Sequence, residues 1–251
     1  MERQRDDNDF IFGMHPVEEA LRSDKTIDKV LVSRDMRGSS VNELRQLCKQ
    51  KNVLMKQVPE EKLNRITRKN HQGIVAFISP VEFHSIETIL PQLFDQGKNP
   101  LILIMDGVTD VRNFGSILRS AECMGVHAVI MPARNAVAIN ADVVKTSAGA
   151  IFNIPICKEV HFGSILEFLQ NSGCQLVACS EKSNKRLDEV SYTGPTAIIM
   201  GDEGEGISER TLERCDDHVT IPMGGKTASL NVAVASGVVL YEVSRQRLGP
   251  V

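Results

Sequence analysis

Apolar runs alternate with polar, turn-rich stretches along most of this chain. Residues 101–105, 129–131, 175–179 and 197–200 are short and almost wholly apolar. Such runs fit buried parallel strands, which lose polar alternation because both faces are covered. Helical patterns fall between them, at 114–124, 141–149, 165–170 and 230 to about 247. Asn113 is placed as the N-cap of the first and Gly125 stops it. A polar run at 208–217 reads as a short helix, followed by a strand at 218–223. Strand and helix alternate to the end, so residues 100–251 are expected to form an α/β domain with a mostly parallel sheet.

The first part has its own pattern. Strands are expected at 29–33, 53–55 and 73–78, with a helix after Gly13 and another over 41–52. Pro16 sits near the first turn of the earlier helix, where proline is tolerated. Residues 10–80 therefore make a separate small α/β unit. Residues 81–99, bracketed by Pro80, Pro91, Gly97 and Pro100, are read as a linker with a short helical pattern at 86–93. The charged stretch 1–9 is read as a flexible tail.

Composition narrows the class. No apolar run is long enough to span a bilayer, and the start has no apolar signal core. The six cysteines are scattered, with no C-x-x-C and no zinc spacing, so no metal is expected and the thiols read as small buried hydrophobes. A cytoplasmic protein is the expectation. The net charge of −3 argues against indiscriminate nucleic-acid binding, but its distribution is uneven. Residues 1–80 carry 15 basic and 12 acidic side chains, a net of +3, and the remainder 14 and 20, a net of −6. Lys62, Arg65, Arg68 and Lys69 form a run without an acid, followed by Asn70-His71-Gln72-Gly73. A charge run is usually a solvated face; here the polar turn beside it is placed to touch phosphate or a base edge.

The stretch 197–242 carries the chemistry. Two Gly-rich loops, 201–207 and 224–229, follow two strands, and ligands of open α/β sheets bind at strand C-termini. Gly201, Gly204 and Gly206 are spaced G-x-x-G-x-G, which is not the dinucleotide fingerprint, and no phosphate loop of Walker type is present. On spacing alone these are plain strand-to-helix turns.

The order of three motifs changes that. Met-Gly-x-Glu-x-x-Gly-Ile from Met200, Ile-Pro-Met-x-Gly from Ile221 and Ser-Leu-Asn-Val from Ser229 together resemble the C-terminal motifs of the SpoU/TrmH (SPOUT) ribose methyltransferases. The loop from Asp110 to Arg119 matches the family's Asn-x-Gly-x-x-x-Arg, with Val111 and Arg112 in place of the common Asp-Pro. Ala233 stands where Ser is frequent. The pieces from Gly13 to Leu21 and from His71 to Ala76 are similar to the N-terminal domain of an RlmB-like subgroup that acts on 23S ribosomal RNA.

The resemblance implies a SPOUT domain with a deep trefoil knot, a small ribosomal-protein-like RNA-binding domain before it, and a homodimer. It implies S-adenosylmethionine as cofactor, contacted by Gly201, Ile221, Met223, Gly224 and Leu230, with backbone groups at Ile221 and Leu230 bonding the adenine. It implies catalytic roles for Asn113, Arg119, Glu203, Ser229 and Asn231. Arg119 is the usual candidate for activating the ribose hydroxyl, an awkward base because guanidinium stays protonated far above neutral pH. It either orients the hydroxyl through an RNA phosphate or clamps that phosphate; Glu203 is the rival base. In the bland alternative, Arg119 only pairs with Glu122. Arg65, Arg68, Lys69, His71 and Gln72 are the RNA-binding candidates. The implied activity is 2′-O-ribose methylation of a guanosine in 23S ribosomal RNA. Alternatives are a tRNA ribose methyltransferase and a non-catalytic ribosome-assembly factor. A dehydrogenase is disfavoured by the glycine spacing.

Overall fold

The structure is a computed structural model, and it describes residues 10–202, 204–227 and 229–248. Two compact units divide the chain, one ending at Glu82 and the other beginning at Phe83.

In the first unit, strands β1 (Phe10–Phe12), β2 (Ile27–Ser33), β3 (Leu54–Val58) and β4 (Ile74–Ile78) form a sheet of order β1-β4-β2-β3. β4 runs antiparallel to β1 and β2, while β2 and β3 are parallel. Period-two alternation divides the core. Val30, Val32, Ile74 and Ala76 pack with helices α1 (Met14–Arg22) and α2 (Ser39–Gln50). Leu31 and Val75 face the other way and pack with Phe10, Val58 and Leu63, the last from helix α3 (Glu60–Asn64).

The second unit is built on a sheet of seven strands among the described residues, all parallel. They are β5 (Phe83–His84), β6 (Leu101–Asp106), β7 (Ala128–Pro132), β8 (Ile156–Glu159), β9 (Gln175–Cys179), β10 (Thr196–Gly201) and β11 (Asp217–Val219), in the order β11-β9-β10-β6-β7-β8-β5. Chain order changes direction between β10 and β6, and the C-terminal ends of those strands mark the place for a ligand. Ile102, Ile104, Ile130, Leu176, Ala178, Ala197 and Ile199 pack on one face with helices α4 (Ile86–Asp95) and α7 (Phe162–Asn171). The alternate residues Leu101, Leu103, Val129, Val177 and Ile198 are equally buried. Helices α5 (Val111–Cys123) and α9 (Val232–Leu248) pack on each other, and α9 reaches β10. Helix α6 (Ala141–Thr146) packs on α5, and the short helix α8 (Glu209–Leu212) precedes β11.

Several expectations need correction. The stretch 81–99 is not a free linker. β5 pairs with β8, and α4 buries Ile86, Leu90 and Leu93 in the core of the second unit, despite Pro91 inside the helix. Three apolar anchors outweigh one lost backbone hydrogen bond. Asn113 is not the N-cap of α5. Asp110 is: its Oδ1 accepts from the backbone N–H groups of Arg112 and Asn113, both at 2.9 Å. A carboxylate one step before the helix satisfies two orphan donors and sits well against the positive helix end. The helix expected at 208–217 is only α8, and the strand expected at 218–223 ends at Val219, so Ile221 and Met223 lie in irregular chain. The pattern at 141–149 gives the short α6 and then a 3₁₀ turn, Ala150–Phe152. The residues read as a tail, 1–9, fall outside the described part, as does Glu203. No helix among the described residues is long and apolar enough to cross a membrane.

Candidate active site at the end of the central strands

A cleft of about 730 Å³ of empty space, part of it open to solvent, lies at the C-terminal ends of β9 and β10. Its floor is Met200 and Gly201. Gly201 has to be glycine because a Cβ there would lie 2.3 Å from the carbonyl carbon of Gly206 and 2.4 Å from the nitrogen of Ile207. The chain beyond β10 folds back directly over the strand. Asp202 and Gly206 close this turn with two backbone hydrogen bonds, each 3.1 Å. Asp202 Oδ2 also accepts from the N–H of Gly204 at 3.1 Å, and Ile207 drops its side chain into the core. The opposite wall is Thr220, Ile221, Met223, Ser229 and Leu230, with Val232 and Ala235 from α9. Cys179, Ser180 and Glu181 supply the end of β9.

Of the expected cofactor residues, Gly201, Ile221, Met223 and Leu230 line this cleft, as does Ser229 from the catalytic set. Gly224 is exposed and is not part of its lining. Ile221, Met223, Leu230, Val232 and Ala235 give the wall an aliphatic part, Ser180, Thr220 and Ser229 bring hydroxyls, and the charged side chains among the described lining residues are two carboxylates, Glu181 and Asp202. Such a site suits a ligand that combines a flat apolar ring with positive charge. The Cys179 thiol is not a nucleophile here: burial, with the Glu181 charge adding to it, pushes it up to about 12. No group of three or more His, Cys, Asp or Glu side chains among the described residues has a geometry for a metal ion.

Asn113 and Asn231 meet: Asn231 Nδ2 donates to Asn113 Oδ1 at 3.0 Å. Asn231 Oδ1 accepts from the N–H groups of Ala233 at 3.0 Å and Val234 at 3.4 Å, which makes Asn231 the cap of α9. Arg119, two turns further along α5, is exposed and has no ion-pair or hydrogen-bond partner among the described residues. The pairing with Glu122 is not formed. Gly115 serves packing rather than ligand approach. A Cβ there would lie 2.1 Å from Thr146 Oγ1 and 2.8 Å from the Thr146 carbonyl carbon, so glycine lets α6 dock on the start of α5. Thr146 Oγ1 lies within 3.2 Å of the Val111 carbonyl oxygen at the same junction.

In the first unit Arg65, Arg68 and Lys69 are exposed. His71 is only 5% exposed, with Nε2 2.9 Å from Asn64 Oδ1 and Nδ1 accepting the Gly73 N–H at 3.0 Å. Both ring nitrogens are engaged, so His71 shapes the turn. Gln72 is exposed, and its Oε1 accepts from the Met14 N–H at 3.3 Å. The two N-terminal sequence pieces thus meet in space, with the Gly13 N–H also donating to the Ile74 carbonyl at 3.1 Å.

Sequence reasoning missed Asp106, at the end of β6. Its Oδ2 accepts the Ser208 N–H at 3.1 Å and the Ser208 hydroxyl at 2.9 Å. An acid closing an otherwise apolar strand immediately before Gly107 was the available signal.

Comparison with known proteins agrees with this geometry. The profile of the SpoU rRNA Methylase family matches residues 100–241, and that of RNA 2′-O ribose methyltransferase substrate binding matches residues 10–84. A protein of Staphylococcus saprophyticus, named for the TrmH family of tRNA/rRNA methyltransferases, is 35% identical over 94% of this chain and 95% of its own. A Bacillus subtilis protein named for the same family is 30% identical over 96% of each. Among solved structures, the SpoU methyltransferase AviRb from Streptomyces viridochromogenes, in complex with AdoMet, shares the fold. Its TM-score is 0.60 at 24% identity, over 95% of this chain and 90% of that one. The A. aeolicus TrmH/SpoU tRNA modifying enzyme has a TM-score of 0.54 at 32% identity, covering 64% of this chain and 84% of its own. With a family profile over most of the second unit and relatives matched nearly end to end, the chain belongs to the SpoU rRNA methylase family.

Proposed function

We propose that this chain methylates the 2′-hydroxyl of a guanosine ribose in 23S ribosomal RNA, with S-adenosylmethionine as methyl donor. One observation carries the reading: residues of three separate sequence motifs, Gly201, Ile221 and Leu230, line one cleft, while Asn231 ties that cleft to the helix bearing Arg119. The cofactor supplies a methyl group activated on a sulfonium. Glu181 and Asp202 put negative charge in the cleft that receives it, and the aliphatic part of the wall takes the adenine face. Arg119, exposed, holds the phosphate beside the target ribose through its guanidinium and orients the hydroxyl toward the methyl. Ser229, in the cleft wall, helps hold the ribose. The hydroxyl proton leaves by way of the RNA phosphate or water. Glu203, a rival base by sequence, remains a candidate for accepting it.

The first unit supplies RNA grip through Arg65, Arg68, Lys69 and Gln72, a role in keeping with the substrate-binding profile over residues 10–84. The cytoplasm is the natural setting for that substrate. The trefoil knot that the motif resemblance implies belongs to this reading of the second unit. Helix α9 exposes Val234, Val238 and Tyr241, the last at 60%, at i, i+4 and i+7. We take that stripe as the seam of a homodimer, and sedimentation at micromolar concentration should give about twice the 27.7 kDa chain mass. A clean monomer removes the dimer.

A tRNA substrate is the second reading. Its support is the name of the relatives, tRNA/rRNA methyltransferase, and the 32% identity to a tRNA modifying enzyme. Calorimetric titration tests the cofactor: S-adenosylmethionine should bind and NAD should not. The reverse result removes the methyltransferase reading.

A further inference from the structure

The mechanism leaves the partly exposed junction between Asp106 and Ser208 without a task. Asp106 ends β6 and pairs in register with Gly201, the last residue of β10 and the floor of the cleft. The glycine-rich turn leaves Gly201, folds back over it and lands on Asp106 at Ser208. One carboxylate oxygen, Oδ2, takes both the N–H of Ser208 at 3.1 Å and its hydroxyl at 2.9 Å. Ser208 Oγ lies 2.8 Å from the hydroxyl of Thr211, which is buried. A serine hydroxyl has a single proton, and Asp106 receives it, so Thr211 donates to Ser208. The result is a directed chain, Thr211 to Ser208 to Asp106, ending on a negative charge. Charge-assisted bonds of this kind are about twice as strong as neutral ones.

The junction has two neighbours of consequence. On one side are Gly204, Gly206 and Ile207, which line the cleft. On the other, β6 runs through Gly107 into the loop that opens α5 at Val111, the helix of Asn113 and Arg119. Asp106 is the covalent start of one and the hydrogen-bonded end of the other.

We infer that Asp106 is a positioning residue for methyl transfer: its carboxylate clamps the glycine-rich turn onto the cofactor cleft and fixes it relative to the strand that leads to the Arg119 helix. This rests on the methyltransferase reading above. Released from Asp106, the turn loosens, the cleft closes poorly on its ligand, and the donor loses register with the acceptor.

Asp106→Ala in the full chain should weaken S-adenosylmethionine binding by about tenfold in calorimetry, the equivalent of one lost charged acceptor. Turnover at saturating cofactor should fall as well. Asp106→Asn keeps an oxygen acceptor without the charge and should restore most of the affinity. Ser208→Ala, a milder change, keeps the backbone bond and should shift affinity in the same direction by a smaller factor. With the clamp already gone, Asp106→Ala/Ser208→Ala should bind about as weakly as Asp106→Ala alone. Amide exchange at 204–208 should accelerate in Asp106→Ala, with or without cofactor. Unchanged affinity and unchanged exchange in Asp106→Ala overturn the clamp. A drop in melting temperature alone, at unchanged affinity and turnover, also overturns it, since it reduces Asp106 to a stabilising contact. If the unaltered chain fails to bind S-adenosylmethionine while exchange at 204–208 still responds to Asp106→Ala, the cofactor reading has failed and the clamp has not.

Discussion

Asn231 and Asn113 are joined side chain to side chain at 3.0 Å, across 118 positions of sequence. Asn231 uses its amide nitrogen for that bond and its oxygen to cap α9. One small residue therefore fixes where α9 begins and where α5 lies against it. Asparagine is suited to this because it offers donor and acceptor at opposite corners of one planar group. Aspartate would cap α9 equally well and would face the Asn113 oxygen with no proton to give.

Asn231→Ala should lose the cap and orphan Asn113, at about 1 kcal/mol each. A fall of roughly 4–8 °C in the melting temperature follows for a unit of this size. Asn231→Asp should keep most of the cap and lose only the bridge, with a smaller shift. Equal melting temperatures for Asn231→Ala and the unaltered chain would show that the bond carries no weight.

Arg119→Ala should abolish methyl transfer, by about 100-fold or more, and leave S-adenosylmethionine affinity within about twofold. The reason is its position: Arg119 is exposed and lies outside the cleft lining. Normal turnover in the variant would falsify its catalytic assignment. Cofactor affinity lost in step with turnover would point to a structural role.

The boundary of the second unit yields a stability experiment. A chain beginning at Phe83 keeps α4, and should fold and bind S-adenosylmethionine. One beginning at Gly97 lacks Ile86, Leu90 and Leu93, all buried in the core. Their loss removes roughly 5 kcal/mol of apolar burial, a large fraction of a domain's total stability. Thermal melts of the two truncations settle the matter. A cooperative melt of the shorter chain at the same temperature would return 83–96 to the status of a linker.

That segment shows where the sequence was legible and where it was not. The central strands could be read as unbroken apolar runs, and β6 and β10 were found within a residue or two of their ends. The helical pattern of α4 was legible at 86–93, but its place in the core was not: Pro91 and the flanking prolines signal a linker, whereas the decision is made by what Ile86, Leu90 and Leu93 touch. Local chemistry decided the α5 cap as well: Asn113 is a good capping residue, but Asp110 stands earlier and reaches both free N–H groups. Gly201, Ile221 and Leu230 were found through family motifs; no periodicity would have brought them together. Asp106 stood out only as an acid closing an apolar strand; its meeting with Ser208 could not be read, because it depends on a chain reversal 102 positions away.

Neutralising Arg65, Arg68 and Lys69 together should weaken RNA binding and flatten its salt dependence. Each lost phosphate contact on a single strand lowers the log–log slope by about 0.7, so three give a change of about 2. All three side chains are exposed. Cofactor affinity should not move. An unchanged slope would shift the RNA surface away from this run.

Ribose methylation has a direct chemical readout. Alkaline cleavage of RNA needs a free 2′-hydroxyl to attack the adjacent phosphate, and a 2′-O-methyl group removes that nucleophile. Unmodified total RNA, taken from cells lacking this chain, is incubated with the purified protein and S-adenosylmethionine and then mapped by alkaline hydrolysis. Loop nucleotides are the favoured targets, since an unstacked ribose can be turned into the cleft. The expected result is one newly protected position, at a guanosine in the large-subunit RNA. Protection in tRNA would move the chain to the second reading, and no protection in any RNA, with cofactor bound, would contradict methyl transfer to ribose altogether.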